Sequence, residues 1–401
     1  MLDLARHFSR FLNADPERIH LAAHSHHYWP DVTFEAQRRC WEDAALHADE
    51  KWGLVFGDLI PAVQAGIARV LNLPDPSTIA FAPNTHDFLR RLLSVLPPHR
   101  AGRVLTSDGE FHSLTRQIAR LEEERLVEVE RVPVDPAVTF PRRFAEACAR
   151  GGHDLVYVSQ VFFNSGATAG DLSALAAAVR DPETVVAVDG YHGFMALPTD
   201  LAAVADRIFY LAGGYKYAMA GEGVCFMHCP PGYAPRPRDT GWFAAFGALA
   251  SKQSGVPYGS DGTRFLGATF DPSGLYRLRA VLAWTESIGL TVAAIHAHVL
   301  ALQRHFLQAV AAGHIEALTD ARLVSPAGDP QRGHFLTFET DGAESLHREL
   351  LAKRIVTDVR ASRIRLGFGC YHTIADIDRA VARLERAAPG PAERCRAVEP
   401  E

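Results

Sequence analysis

Short β-branched and apolar runs alternate along this chain with stretches whose apolar positions recur every three or four residues. Two-residue and 3.6-residue periods taken in turn predict an α/β fold, a mostly parallel mixed sheet flanked by helices. The runs predict strands over Thr78–Ala82, Arg103–Ser107, Asp154–Ser159, Thr184–Asp189, Arg207–Ala212 and Gly223–His228. Between the first two, Phe88, Leu89, Leu92, Leu93 and Leu96 form one apolar helical stripe. From about Leu275 a long amphipathic helical stretch runs into the 310s. It is followed by a strand (His334–Glu339), a helix (Glu344–Lys353), a strand (Arg363–Gly367) and a closing helix. Thr373, with Asp376 three residues on, is a variant of the capping box. The expected organisation is an N-terminal arm (1–30), a large domain (31–275), a small C-terminal α+β domain (276–390) and a frayed tail (391–401).

With 401 residues the chain can bury a large core and more than one domain. Hydrophobic residues at 48% and charged residues at 22% are ordinary for a soluble enzyme. A net charge of -6 gives no electrostatic footprint for nucleic acid or an anionic membrane, so neither partner is expected. Apolar stretches such as Leu172–Val179 fall short of the roughly 20 residues that a bilayer span takes. The opening MLDLARHFSR has charges where a signal peptide has its apolar core. Cysteines at 40, 148, 225, 229, 370 and 395 follow no framework spacing, which points to reduced thiols in a cytoplasmic protein. Neither His24-Ser25-His26-His27 nor Cys225 to Cys229 completes a four-ligand set, so no metal is expected.

The densest chemistry lies in TVVAVDGYHGFMALPTDL and DRIFYLAGGYKYAMAGEGVCFM. Asp189 closes one predicted strand and Lys216 follows the next, so both fall at strand carboxyl ends, where open α/β sheets bind ligands. Upstream, Asn84 is a good N-cap for the helix that begins at Thr85 and His86, and free amides at such a start suit a phosphate. A lysine to carry an aldehyde cofactor and a carboxylate to keep a pyridine protonated are what pyridoxal-phosphate (PLP) chemistry needs.

The block resembles the class V branch of the PLP-dependent fold-type-I enzymes (the aspartate-aminotransferase-like fold), and GGYKYAMAGEG is most similar to kynureninase. The resemblance implies PLP held as a Schiff base on Lys216, with Asp189 at the pyridine nitrogen. It places His192 near O3′ and the phosphate side, and Tyr215 on the phosphate with a part in proton shuttling. It further implies phosphate contacts from Thr85 and His86, ring stacking by Phe111 in SDGEFHSLTRQ, and Trp242 and Thr269 reaching the cofactor across a homodimer interface. Arg365, in IVTDVRASRIRLGFGCYHT, would clamp the carboxylate of an amino-acid substrate, with Arg363 as the competitor on the same strand face.

Three positions depart from kynureninase. The asparagine that touches O3′ is Phe162 here, with Asn164 or Gln160 as substitutes. The histidine after the Gly-Trp pair, which lies on the aromatic side of the substrate in kynureninases, is Ala245, and the opening asparagine is His24. The implied reaction is hydrolysis of a β-acyl amino acid at Cβ–Cγ, giving alanine and a carboxylic acid. Class V aminotransferase, epimerase or β-lyase chemistry stays open, as does an inactive homologue. Cysteine desulfurase is disfavoured because 320–360 contains no cysteine.

Overall fold

The computed structural model describes residues 2–248 and 255–385; the expected tail, 391–401, and the last residues of the expected small domain lie outside these. Seven strands form the main sheet: β1 (Ile79–Ala82), β2 (Gly102–Ser107), β3 (Val127–Val132), β4 (Leu155–Ser159), β5 (Val185–Asp189), β6 (Ile208–Gly213) and β7 (Cys225–His228). Their order is β1-β7-β6-β5-β4-β2-β3. Only β7 runs antiparallel to its neighbours. Strands β4 and β6 are buried at every position, as expected of a parallel sheet covered on both faces. Edge strand β3, Val-Glu-Val-Glu-Arg-Val, was not predicted, because Glu128, Glu130 and Arg131 break any apolar run.

The C-terminal part carries a second, antiparallel sheet of β8 (Arg322–Leu323), β9 (Phe335–Glu339), β10 (Asp358–Arg360) and β11 (Arg363–Gly367), in the order β10-β11-β9-β8. The expected long helix is two, Ser273–Ser287 and Val292–Ala311, set 87° apart. Gly289 turns the chain at φ +62, and Thr291 caps the second helix by accepting from the Ala294 amide at 3.1 Å. The apolar stripe continues through this break, which hid it from a periodicity reading. The closing helix, Ile374–Glu385, starts at the predicted box: Thr373 N donates to Asp376 Oδ2 (2.8 Å) and Asp376 N to Thr373 Oγ1 (3.3 Å).

By length and composition, the helical run Val32–Leu71 does reach what a bilayer span takes, contrary to the sequence expectation. Its Val55, Leu59, Val63, Ile67 and Leu71 are buried in the protein's own core. The N-terminal segment joins strands of the small sheet to the end of the main sheet. Ile19–His20 pairs in parallel with Ile355–Val356, Gly367 N donates to Leu21 O (2.8 Å), and His27 N donates to Tyr215 O (3.0 Å).

Candidate active site

Adjacent strands β5 and β6 end side by side, with Asp189 in register with Leu211. Two close approaches shape the loops that follow. A Cβ at Gly190 would run into the Tyr210 ring, and one at Gly213 into Tyr191 and Cys225 Sγ, so neither position takes a side chain. These turns set Asp189, Tyr191, His192, Tyr215 and Lys216 around one cleft, whose other walls include Thr85, Phe111, Tyr157, Ser159 and Phe163.

Asp189 Oδ1 accepts from the Tyr191 amide (2.9 Å) and Oδ2 from the Tyr157 hydroxyl (3.2 Å). Burial raises its carboxyl above the usual range, opposed by the Tyr191 amide and the Lys216 charge. Lys216 is buried, with Nζ 3.0 Å from His192 Nε2 and 4.6 Å from the centre of the Tyr191 ring. Burial lowers its ammonium to about 7, against the pull of Asp189. Burial and the nearby Lys216 charge hold the His192 imidazole neutral, well below its ordinary range. The cleft therefore holds an amine able to act as a nucleophile near neutral pH, facing a buried carboxylate.

Asn84 caps the helix Thr85–Leu93 as predicted, accepting from the Asp87 amide at 2.9 Å, and Thr85 faces the cleft. Of the other expected cofactor contacts, Phe111 and Tyr215 line the cleft. His86, Trp242 and Thr269 are exposed and do not line it. Trp242 instead stacks on Phe243 at 4.3 Å. Ala245, expected beside the substrate, lines a separate hollow with Phe56, Phe243, Phe246 and Tyr258.

Phe162 packs edge-on against Phe140 in the core, and its neighbour Phe163 faces the cleft. Gln160 is not a substitute for the missing asparagine. Its amide is taken by the Tyr210 hydroxyl (2.8 Å) and by Thr199 Oγ1 (2.9 Å). Asn164 is half-buried and not among the residues lining the cleft.

Arg365 is buried on β11 beside the cleft, donating to Phe163 O and to the Asp358 carboxylate. Arg363 reaches Glu339 instead, at 3.1 Å and partly exposed. Sequence reading missed Tyr157, Ser159, Asp358 and the role of Glu110. Glu110 is buried, accepts from Ser107 Oγ (2.5 Å) and Ser159 Oγ (2.6 Å), and is raised to about 7 by burial. Alternation could have flagged Tyr157 and Ser159, because both lie on β4 with Ser159 in register with Asp189.

The donor set fits PLP. It offers one buried amine for a carbonyl carbon, one buried carboxylate for a pyridine nitrogen, aromatic faces on Phe111 and Tyr191, and a capped helix start at Thr85 for a phosphate.

A family model described as the kynureninase C-terminal domain matches residues 295–384. A probable cysteine desulfurase from Vibrio cholerae serotype O1 is 24% identical over 307 residues, covering 71% of this chain and 70% of that protein. The isopenicillin N epimerase of Streptomyces clavuligerus is 27% identical over 179 residues, covering 43% of this chain and 44% of the epimerase. Among solved structures, a mutant of C-DES with glycine covalently linked to its PLP cofactor superposes with a TM-score of 0.78 at 19% identity, covering 96% of this chain and 99% of that one. The cystine C-S lyase C-DES with its product cysteine persulfide gives 0.76 at 18% identity, covering 92% and 97%. The chain has the α/β fold of the PLP-dependent fold-type-I enzymes.

Proposed function

We propose that this chain is a PLP-dependent enzyme of the class V type acting on a small L-amino acid, with β-elimination as the favoured outcome among elimination, epimerisation and transamination. The observation that carries the reading is Lys216, a buried amine lowered to about 7 and facing the buried Asp189 carboxylate. The relatives named as a desulfurase, an epimerase and a C-S lyase support it. None of the described cysteines lines the cleft: Cys148, Cys225, Cys229 and Cys370 are buried, Cys40 is half-buried elsewhere, and the Cys225 thiol is pushed up to about 12, so a desulfurase that passes sulfur to one of these is not favoured.

PLP bound in the cleft supplies an electron sink for charge developed at the substrate Cα. Asp189 would hold the pyridine nitrogen protonated, positioned by Tyr157 and the Tyr191 amide. Thr85 and the start of its helix would hold the phosphate. Lys216 would anchor the cofactor and then carry the Cα proton on Nζ, with neutral His192 holding that amine in place. Arg365 would orient the substrate carboxylate. Trp242 (45% exposed) and Phe246 (53%), with ring centres 5.4 Å apart, form an exposed apolar pair that suits a second copy, through which Trp242 and Thr269 would reach the partner's cofactor.

A second reading, kynureninase-like hydrolysis, is favoured by the match over 295–384, which includes Arg365. Purified protein incubated with PLP should show the cofactor's visible band. A panel of L-cystine, L-cysteine, L-alanine and kynurenines then separates the branches. Pyruvate and ammonia from L-cystine support elimination, alanine with anthranilate supports the second reading, and absence of any cofactor band removes both.

A further inference from the structure

Arg365 is not free in the chain. Asp358, its register partner across β10 and β11, holds the guanidinium. The same carboxylate lies 3.5 Å from His24 Nε2. His24 is 1% exposed, and neither of its ring nitrogens has a hydrogen-bond partner; Arg365 Nε has none either. A buried imidazole left without hydrogen-bond partners forfeits the hydration it had in the unfolded chain with nothing in return. Room for that ring comes from Gly367, where a Cβ would run into His24 Nδ1.

We infer that Asp358 is an internal stand-in for the substrate carboxylate, displaced from Arg365 towards His24 when an amino acid binds, and that His24 then takes one proton from solvent. The proposal rests on the amino-acid reading of the site. Its logic is charge balance. One buried guanidinium cannot neutralise two carboxylates, and an unpaired buried charge is costly. The incoming carboxylate adds one negative charge, and the proton bound at His24 Nε2 cancels it. Both carboxylates stay ionised. The substrate's amino group takes the place of Lys216 on the cofactor, the freed Lys216 amine receives the proton that the substrate ammonium gives up, and this exchange is the same in wild type and H24Q, so it cancels when the two are compared.

His24 suits the task because burial, reinforced by the cations around it, holds it neutral at rest. Asp358 and Arg360 face it from β10, Arg365 from β11, Lys216 and His192 from the large domain, and His20 lies on its own segment. Burial, Arg365, Lys216 and Arg360 together hold its imidazole well below the ordinary range. A carboxylate on Arg365 cancels one of those cations and lets the proton bind.

The test is calorimetric titration of L-alanine into the PLP-loaded protein at pH 8, in phosphate and in Tris. The two buffers differ in ionisation heat and so report protons taken up. Wild type should take up close to one more proton per L-alanine bound than H24Q, and H24Q should bind about tenfold more weakly. D358N, which leaves Arg365 open, should bind about tenfold more tightly and lose the extra uptake. Equal proton uptake in wild type and H24Q, or D358N binding no more tightly, overturns the proposal. Should D358N not fold, wild type against H24Q decides alone. Absence of a cofactor band in wild type overturns the enzyme reading itself, whereas a normal band with no His24-dependent proton overturns only this proposal.

Discussion

Lys216 Nζ stands 3.0 Å from Nε2 of His192, so a buried amine is held by a neutral imidazole rather than by a carboxylate. An ion pair there would raise the amine, whereas burial without a contact ion pair lowers it to about 7. The amine is therefore largely unprotonated above neutral pH. In cofactor-free protein, acylation of Lys216 followed by peptide mass spectrometry should titrate near 7, falling as pH falls through that value. A titration near 10 would show that the cleft does not desolvate the lysine.

Lys216→Ala should abolish borohydride-fixable PLP. Label recovered on another lysine would remove Lys216 from its assigned role.

Asp189→Ala should lower turnover by orders of magnitude while some cofactor still binds, because the pyridine loses the carboxylate that keeps it protonated. Tyr157→Phe should have a smaller effect, since it removes one 3.2 Å hydrogen bond and leaves the Tyr191 amide in place. The cofactor's absorbance and kcat, measured on both variants, check the ranking.

Arg365→Ala should raise the apparent KM for amino acids by about 10- to 100-fold with PLP occupancy retained, since a charge-assisted hydrogen bond contributes about 1.5–3 kcal/mol. Arg363→Ala should change KM little, because that side chain is partly exposed and paired with Glu339, a pairing worth about 0–1 kcal/mol. The reverse order would move the carboxylate site two residues along β11.

Acid should destabilise the fold through its buried histidines. His27, His228 and His372 are each lowered to about 4 by burial. In the unfolded chain they take protons at about 6.5, so the stability they contribute is complete above that pH and declines as pH falls towards 4. At pH 5 the loss is about 2 kcal/mol for each histidine. Urea midpoints at pH 7.5 and pH 5 measure it, and the pH 5 value should be markedly lower. Equal midpoints would mean that these rings are solvated.

Asp189 and Lys216 were legible because each is announced locally, one by a buried β-branched run that ends in a carboxylate, the other by a glycine pair after a strand. Arg365 was legible from its strand, but its partner was not. Asp358 meets it only through strand pairing, and no local period encodes which residue lies opposite. The same limit hid Tyr157 behind Asp189 and displaced the expected cleft residue from Phe162 to Phe163. In a twisting loop, one position changes which side of the chain faces the core. Trp242, Thr269 and Ala245 carry their expected roles only by resemblance, and within one chain they stay away from the cleft.

The threading of the N-terminal segment sets a timetable for the molecule. Leu21 is synthesised long before Gly367, whose amide meets its carbonyl and which ends β11. His24 likewise waits for Asp358 and Gly367 before it has walls. The main sheet can pair while the chain is still emerging, but contacts of such high sequence separation form late. Competence to bind substrate therefore arrives after most of the fold, and a nascent chain stalled before β10 would carry Lys216 and Asp189 with no built carboxylate site.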